Sequence, residues 1–191
     1  GINDIISFSM GEPDFSTPDN ITQACKDSLD RHFTHYTPSA GIPELRKAVA
    51  DRSRTENGIP CTPANVIITP AKQAIFMGIL SMVDEGDEVI LPDPSWGTYE
   101  ACIRLAGGVP RYVGSVEGTE FRMTPEVIAE AIGPKTRMIM LNTPCNPTGA
   151  GMTKDEILGV LLAKDLLRGV VADNGPGTVR ELLRPAVLIP E

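Results

Sequence analysis

The sequence predicts an α/β protein with three layers, a mostly parallel sheet with helices on both faces. From Asn65 onward, short apolar runs typical of buried strands alternate with segments of helical periodicity, and turn residues separate them. Strands that alternate with helices in this way pair in parallel and are covered on both sides. The hydrophobic content of 41% is enough for a sizeable core.

The overall charge limits the partners of the chain. Its 191 residues allow one domain or one and a half small ones, and the formal net charge is −8 at pH 7. An acidic chain of this kind is a poor partner for nucleic acid or for an anionic membrane surface. The longest apolar window, 74–83, is too short to span a bilayer, and residues 1–10 lack the basic start of a signal peptide.

Cysteine and histidine spacing predicts neither a disulfide scaffold nor a metal site. The four cysteines lie roughly forty residues apart without a CxxC pair, which is typical of reduced thiols in a cytoplasmic protein. His32 and His35 are the only histidines, and no third ligand accompanies them. We therefore expect both histidines to be solvated.

The N-terminal third is expected to contain one strand and two helices. The strand covers 5–10, and Thr17 is predicted to cap the first helix, with Pro18 at its first position. This helix would end near His32. Its apolar face carries Ile21, Cys25 and Leu29. A loop over 36–46 leads into the second helix, whose predicted inner stripe is Leu45, Ala48 and Val49.

The remaining elements follow the strand–helix rhythm. The predicted strands are 66–69, 88–91, 109–113, 138–141 and 169–172. Helices are predicted over 71–83, up to Ala106, and after the Thr124 cap with Pro125 at the first position. A last helix is expected from a capping box of Thr153 and Glu156, with Met152 and Ile157 as a hydrophobic staple.

The stretch 142–149, with the sequence NTPCNPTG, lies between a predicted strand and this last helix. Two prolines and a glycine fix its backbone, so the Asn146 side chain is expected to be held in place. Ligands of open α/β sheets lie beyond the carboxyl ends of the strands, where Asn146 would be. An ordinary strand-to-helix turn is the alternative interpretation.

Several motifs in order resemble the class I/II aminotransferases, the pyridoxal-phosphate enzymes of the aspartate aminotransferase fold (fold type I). The resemblance covers roughly 2–173. It is carried by GEPDF at 11–15, Tyr36 with GIPELR at 41–46, AKQA at 71–74, DPSW at 93–96 and NPTG at 146–149. It implies transfer of an amino group between an amino acid and a 2-oxo acid.

The resemblance implies a cofactor-binding role for six residues. Ala71 and Lys72 open a helix whose free N–H groups suit the phosphate of pyridoxal 5′-phosphate, although Pro70 stands where many relatives have glycine and offers no N–H. Trp96 matches the aromatic residue that stacks on the cofactor ring. Asn146 matches the asparagine that binds its phenolic oxygen and lies close to the substrate carboxylate.

The other matched positions are Tyr36, Asp173 and Gly11. Tyr36 matches a tyrosine that reaches the phosphate in the partner subunit, which implies a homodimer or a higher oligomer. Asp173 matches the aspartate that pairs with the pyridinium nitrogen, and capping of a strand-end turn is its alternative role. Gly11 matches a backbone position beside the substrate carboxylate, where Asn146 is expected too.

The resemblance also implies a division of the chain. Residues 1–40 correspond to part of the small domain and dimer arm, 41–173 to a partial large cofactor-binding domain, and 174–191 to a divergent tail. The resemblance therefore implies that the chain is truncated after the first part of the large domain. None of its six lysines has the Ser-Lys context of the Schiff-base lysine, so no catalytic residue is assigned. The chain alone is expected to be inactive and to bind pyridoxal phosphate weakly or not at all.

Two other functions stay open. The chain could be a non-catalytic fragment that folds by oligomerising and binds no cofactor, or another fold type I enzyme such as a carbon–sulfur lyase, which shares these motifs. Nucleotide binding is not favoured, since no GxGxxG motif follows any predicted strand.

Overall fold

The computed structural model describes residues 11–114, 118 and 120–153, which fall into two compact units divided after Ile67. The expected strands at 5–10 and 169–172, the last helix with its capping box, Asp173 and the tail 174–191 lie outside the described residues. The domain boundaries predicted from the resemblance stay a prediction.

The first unit contains α1 (Asp19–Asp30), α2 (Pro43–Glu56) and a short 3-10 helix (Pro63–Asn65). Helix α1 begins one residue later than predicted. Pro18, and not Thr17, precedes the helix, and its carbonyl accepts the N–H groups of Ile21 and Thr22 at 3.0 Å. Without a side-chain cap, the first turn is fixed by this carbonyl and by the restricted φ of proline.

The buried side of α2 differs from the predicted stripe. Ala50 is fully buried, whereas Leu45 is 42% exposed and Ala48 is exposed. The reason is the segment that follows the helix. The Arg46 guanidinium donates to the carbonyls of Val66 (2.9 Å) and Pro63 (2.6 Å), which turns the Arg46 side of the helix inward.

The prediction of a strand at 66–69 is wrong. These residues form no strand in the structure, although Val66 has extended backbone angles, and Ile67 is 61% exposed. A strand needs a hydrogen-bonded neighbour as well as an extended backbone. The described part of the chain supplies none to this segment.

The second unit is built on a parallel sheet of three strands. The central strand β1 (Glu88–Asp93) pairs with β2 (Val109–Gly114) on one side and β3 (Thr136–Ile139) on the other, both in parallel. Strands β1 and β2 confirm the predictions at 88–91 and 109–113. Strand β3 begins and ends two residues earlier than predicted, although the Met140 N–H still donates to the Ile90 carbonyl at 2.8 Å.

Helices cover both faces of this sheet, which confirms the predicted three layers. On one face, Val89 and Leu91 of β1 pack against α3 (Ala71–Leu80) and α4 (Gly97–Leu105). On the other face, Ile90 packs with α5 (Pro125–Ala131) through Ile128. This division follows from the twofold alternation of side chains along a strand.

Gly108 allows α4 to turn closely into β2. A Cβ at this position would lie 2.7 Å from the Val83 Cγ1 atom, 3.1 Å from the Ile103 Cγ2 atom and 3.3 Å from the Asp87 carbonyl oxygen. We therefore expect Gly108→Ala to lower the free energy of unfolding by about 1–3 kcal/mol, measured by urea denaturation. Gly97→Ala is the matched control, since its Cβ would meet nothing within 4 Å. An equal loss in both variants would contradict the prediction.

Tyr112 is expected to make the free energy of unfolding decrease with pH in the alkaline range. Its hydroxyl donates to Glu100 at 2.7 Å, and desolvation together with this carboxylate raises the pKa of Tyr112 to about 12. Because the pKa is higher in the folded state than the ordinary value of 10.0, the stabilisation is complete below that value and is lost as pH rises toward about 12. Across this pH range, the free energy of unfolding should fall less in Tyr112→Phe than in the chain that keeps Tyr112. Parallel curves would contradict this expectation.

Candidate functional site

The loops that follow β1 and β3 lie at the same edge of the sheet. The two strands are parallel and end at Asp93 and Ile139, so their carboxyl ends point the same way. Trp96 lies three residues after β1, and Asn146 lies in the loop after β3. The structure therefore brings these two predicted residues to one edge, the one where ligands of open α/β sheets bind.

Helix α3 begins at Ala71 and joins this edge through Lys72. Pro70 precedes the helix, and no side chain caps its start. The first N–H groups of a helix have no partner within it, so those of 71–73 are available to an anion. The Lys72 ammonium lies 5.5 Å from the centre of the Trp96 ring, within the range of a cation–π contact. The start of the helix thus combines N–H groups and a cation next to an aromatic ring.

Trp96 is half-buried at the start of α4. It packs against the core cluster that holds Leu91 and Ile103. Its ring meets the ring of Tyr99 edge-to-face, with 5.5 Å between centroids and an interplanar angle of 85°. Packing on the core side therefore fixes a ring that stays partly accessible.

The turn that carries Asn146 is closed by backbone hydrogen bonds. The Cys145 N–H donates to the Ala150 carbonyl (2.8 Å), and the Gly149 N–H donates to the Cys145 carbonyl (2.6 Å). Gly149 has a φ of +73°, a conformation that glycine adopts without strain. The backbone N–H of Asn146 donates to the Asn142 Oδ1 atom at 3.2 Å, while the residue itself is exposed. Asn146 is therefore exposed to solvent at the carboxyl edge of the sheet.

Two residues that sequence reasoning missed connect these loops. Asn142 is half-buried and donates from Nδ2 to the Tyr99 hydroxyl at 2.6 Å. Tyr99 is only 7% exposed. A polar residue directly after an apolar run is the one sequence signal that singles out Asn142. No sequence pattern pairs it with a tyrosine 43 positions earlier.

The remaining predicted residues lie in other parts of the chain. Tyr36 and Gly11 lie in the first unit, and both are exposed. Asp173 is outside the described residues. Across 11–114, 118 and 120–153, no group of three potential ligands could hold a metal ion. Within the same residues, no helix combines the length and the apolar character needed to cross a membrane.

None of the four cysteines is disulfide-bonded. Cys102 and Cys145 are buried, and desolvation raises the pKa of the Cys102 thiol. The Cys145 thiol lies at the candidate site, where it contacts the Pro94 carbonyl at 3.9 Å. This long contact adds a weak link between the two strand-end loops.

Comparison with known sequences gives consistent matches. Residues 3–168 match the family model described as aminotransferase class I and II. An aspartate/prephenate aminotransferase of Cereibacter sphaeroides is 43% identical over 96% of this chain and 49% of its own length. An aromatic-amino-acid aminotransferase 2 of Thermococcus litoralis is 41% identical over 87% of this chain and 44% of its own length. The chain thus spans about half the length of these curated relatives.

Solved structures give the same result. An aspartate aminotransferase from Thermus thermophilus, solved with maleate, superimposes with a TM-score of 0.79 at 41% identity, over 81% of this chain and 41% of that one. An aromatic aminotransferase from Pyrococcus horikoshii gives a TM-score of 0.80 at 38% identity, over 84% and 44% of the two chains. These identities and scores show a common fold as well as common sequence.

Proposed function

The chain belongs to the class I and II aminotransferases, and from this premise we propose that it supplies one side of a pyridoxal-phosphate site for amino-group transfer. The substrates of that reaction would be an amino acid and a 2-oxo acid. The named relatives favour aspartate or aromatic amino acids within this class. The observation that carries the proposal is the contact of Lys72 with Trp96 at the edge of the sheet where the loop that holds Asn146 also lies.

The start of α3 fits the phosphate group. Uncapped N–H groups at 71–73 attract an anion, and the macrodipole of a ten-residue helix favours it further. Pro70 withdraws one donor from this end, and the Lys72 ammonium adds a full positive charge beside it. We therefore assign phosphate binding to Ala71 and Lys72.

The ring and the amide fit the rest of the cofactor. The partly accessible ring of Trp96 offers a stacking surface, and the exposed Asn146 amide would donate to the phenolic oxygen. When bound, pyridoxal phosphate draws electrons from the substrate Cα and so makes its proton easier to remove. The residues of this chain would hold the cofactor ring and polarise it.

Further parts of the proposal rest on the family alone. Asp173 would pair with the pyridinium nitrogen, Gly11 would line the substrate carboxylate, and Tyr36 would reach the phosphate of a partner subunit in a homodimer. The assignment of 1–40, 41–173 and 174–191 to family domains belongs with these. The expected inactivity of the 191 residues by themselves also rests on the family alone.

The proposal can be tested with the fluorescence of Trp96, the only tryptophan of the sequence. Titration with pyridoxal phosphate should quench its emission saturably, because the cofactor would stack on this ring. Pyridoxal, which lacks the phosphate, should bind at least about tenfold more weakly, since it loses the charge-assisted contacts at the start of α3.

Two lysine variants make this titration specific. Lys72→Gln should weaken the quenching by pyridoxal phosphate by about three- to tenfold through loss of one ionic contact. Lys135→Gln should leave it unchanged, because this exposed lysine precedes β3 at the opposite edge of the sheet. Equal quenching by pyridoxal and its phosphate, or equal effects of both variants, would count against the proposed site.

A further inference from the structure

One amide side chain connects the two loops of the candidate site. Asn142 uses its Nδ2 group to donate to the Tyr99 hydroxyl at 2.6 Å and its Oδ1 atom to accept the Asn146 N–H at 3.2 Å. The first bond reaches α4, and the second holds the turn after β3. The same side chain therefore links the helix that begins after Trp96 to the turn that presents Asn146.

Tyr99 gives this link a rigid anchor. It belongs to the buried core cluster, and its ring meets Trp96 edge-to-face. Packing holds the Tyr99 ring, and the Asn142 amide holds its hydroxyl. The side chains of Trp96 and Asn142 therefore have little rotational freedom where they contact Tyr99. The Cys145 thiol also contacts the Pro94 carbonyl at 3.9 Å, which adds a weak link between the two loops.

We propose that Asn142 and Tyr99 are positioning residues, which fix the Trp96 ring and Asn146 relative to each other so that both can engage one planar ligand. The inference rests on the proposed function for the roles of Trp96 and Asn146. Neither positioning residue would touch the reacting atoms. Their effect would pass through the hydrogen bonds and the ring contact described above.

The link can be measured without any cofactor through hydrogen exchange of the Asn146 backbone amide. Asn142→Leu removes its acceptor and should accelerate exchange about three- to tenfold relative to a Leu91 amide in the central strand. Tyr99→Phe keeps the ring but frees the Asn142 amide, so a smaller acceleration in the same direction is expected. Asn142→Asp retains an acceptor and should preserve the protection.

The matched control is Tyr112→Phe. This variant also removes a hydroxyl that contacts α4, where it donates to Glu100, yet it lies outside the link. It should leave the exchange of Asn146 unchanged. Referring each rate to Leu91 separates a local effect from global destabilisation, which would accelerate both amides together.

The functional readout is the absorption band of bound pyridoxal phosphate, which responds to the hydrogen bond on its phenolic oxygen. Tyr99→Phe and Asn142→Leu should shift this band and its pH profile, and Tyr112→Phe should not. Unchanged exchange at Asn146 in both variants would overturn the inference, as would an equal change in Tyr112→Phe. Failure of the unchanged chain to bind the cofactor would instead overturn the proposed function, and the exchange rates would still decide the link.

Discussion

Replacing Ile103 with alanine is expected to lower the free energy of unfolding by about 2–5 kcal/mol. Ile103 is fully buried on α4, in the cluster that joins this helix to β1 through Val89 and Leu91. Alanine would lose the transfer free energy of the removed methyl and methylene groups and leave a cavity that the sheet cannot close. Urea denaturation followed by circular dichroism would measure the loss.

Leu105 provides the matched control on the same helix. It lies two residues further on and is 75% exposed, so Leu105→Ala should change the free energy of unfolding by less than about 0.5 kcal/mol. The helix propensity of the new residue is favourable in both variants. A comparable loss in the two would show that the α4 face assigned to the core is not the one that stabilises the unit.

Replacing Trp96 with alanine is expected to weaken pyridoxal-phosphate binding about tenfold or more, which corresponds to about 1.4 kcal/mol. The change would remove the proposed stacking surface and also the aromatic neighbour of Lys72. Because this variant has no tryptophan, binding is measured by equilibrium dialysis with absorbance of the cofactor. Trp96→Phe retains a ring and should bind within about threefold of the unchanged chain.

Circular dichroism supplies the control for folding in this series. Trp96 is only half-buried, so its loss should leave the secondary structure intact. Equal affinity of the alanine variant and the unchanged chain would contradict the stacking role. Loss of binding in both the phenylalanine and the alanine variants would point instead to a requirement for the larger indole.

Local signals in the sequence located most elements of the second unit. The apolar runs predicted β1 and β2, and the Thr124–Pro125 pair predicted the start of α5, where the Thr124 side chain accepts from the Val127 N–H. The alternation of strand and helix predicted the parallel pairing. These features depend on neighbouring residues, which is why a single sequence is sufficient for them.

Features that depend on distant partners were predicted less well. The segment 66–69 has strand-like residues but gains no ladder partner within the described chain, and the inner side of α2 is decided by Arg46 and the carbonyls it reaches. Hydrophobic periodicity shows which faces could be buried. It does not show which neighbour arrives to bury them.

The sequence by itself determined the family, the α/β class and the residue types at the strand ends, among them Trp96 and Asn146. The tertiary structure decided that Lys72 lies against Trp96, and that Asn142 joins Tyr99 to the Asn146 turn. The physical reason is distance along the chain. Motif residues are fixed by local backbone geometry, whereas contacts across 24 or 43 positions exist only once the parallel strands bring their carboxyl ends to one edge.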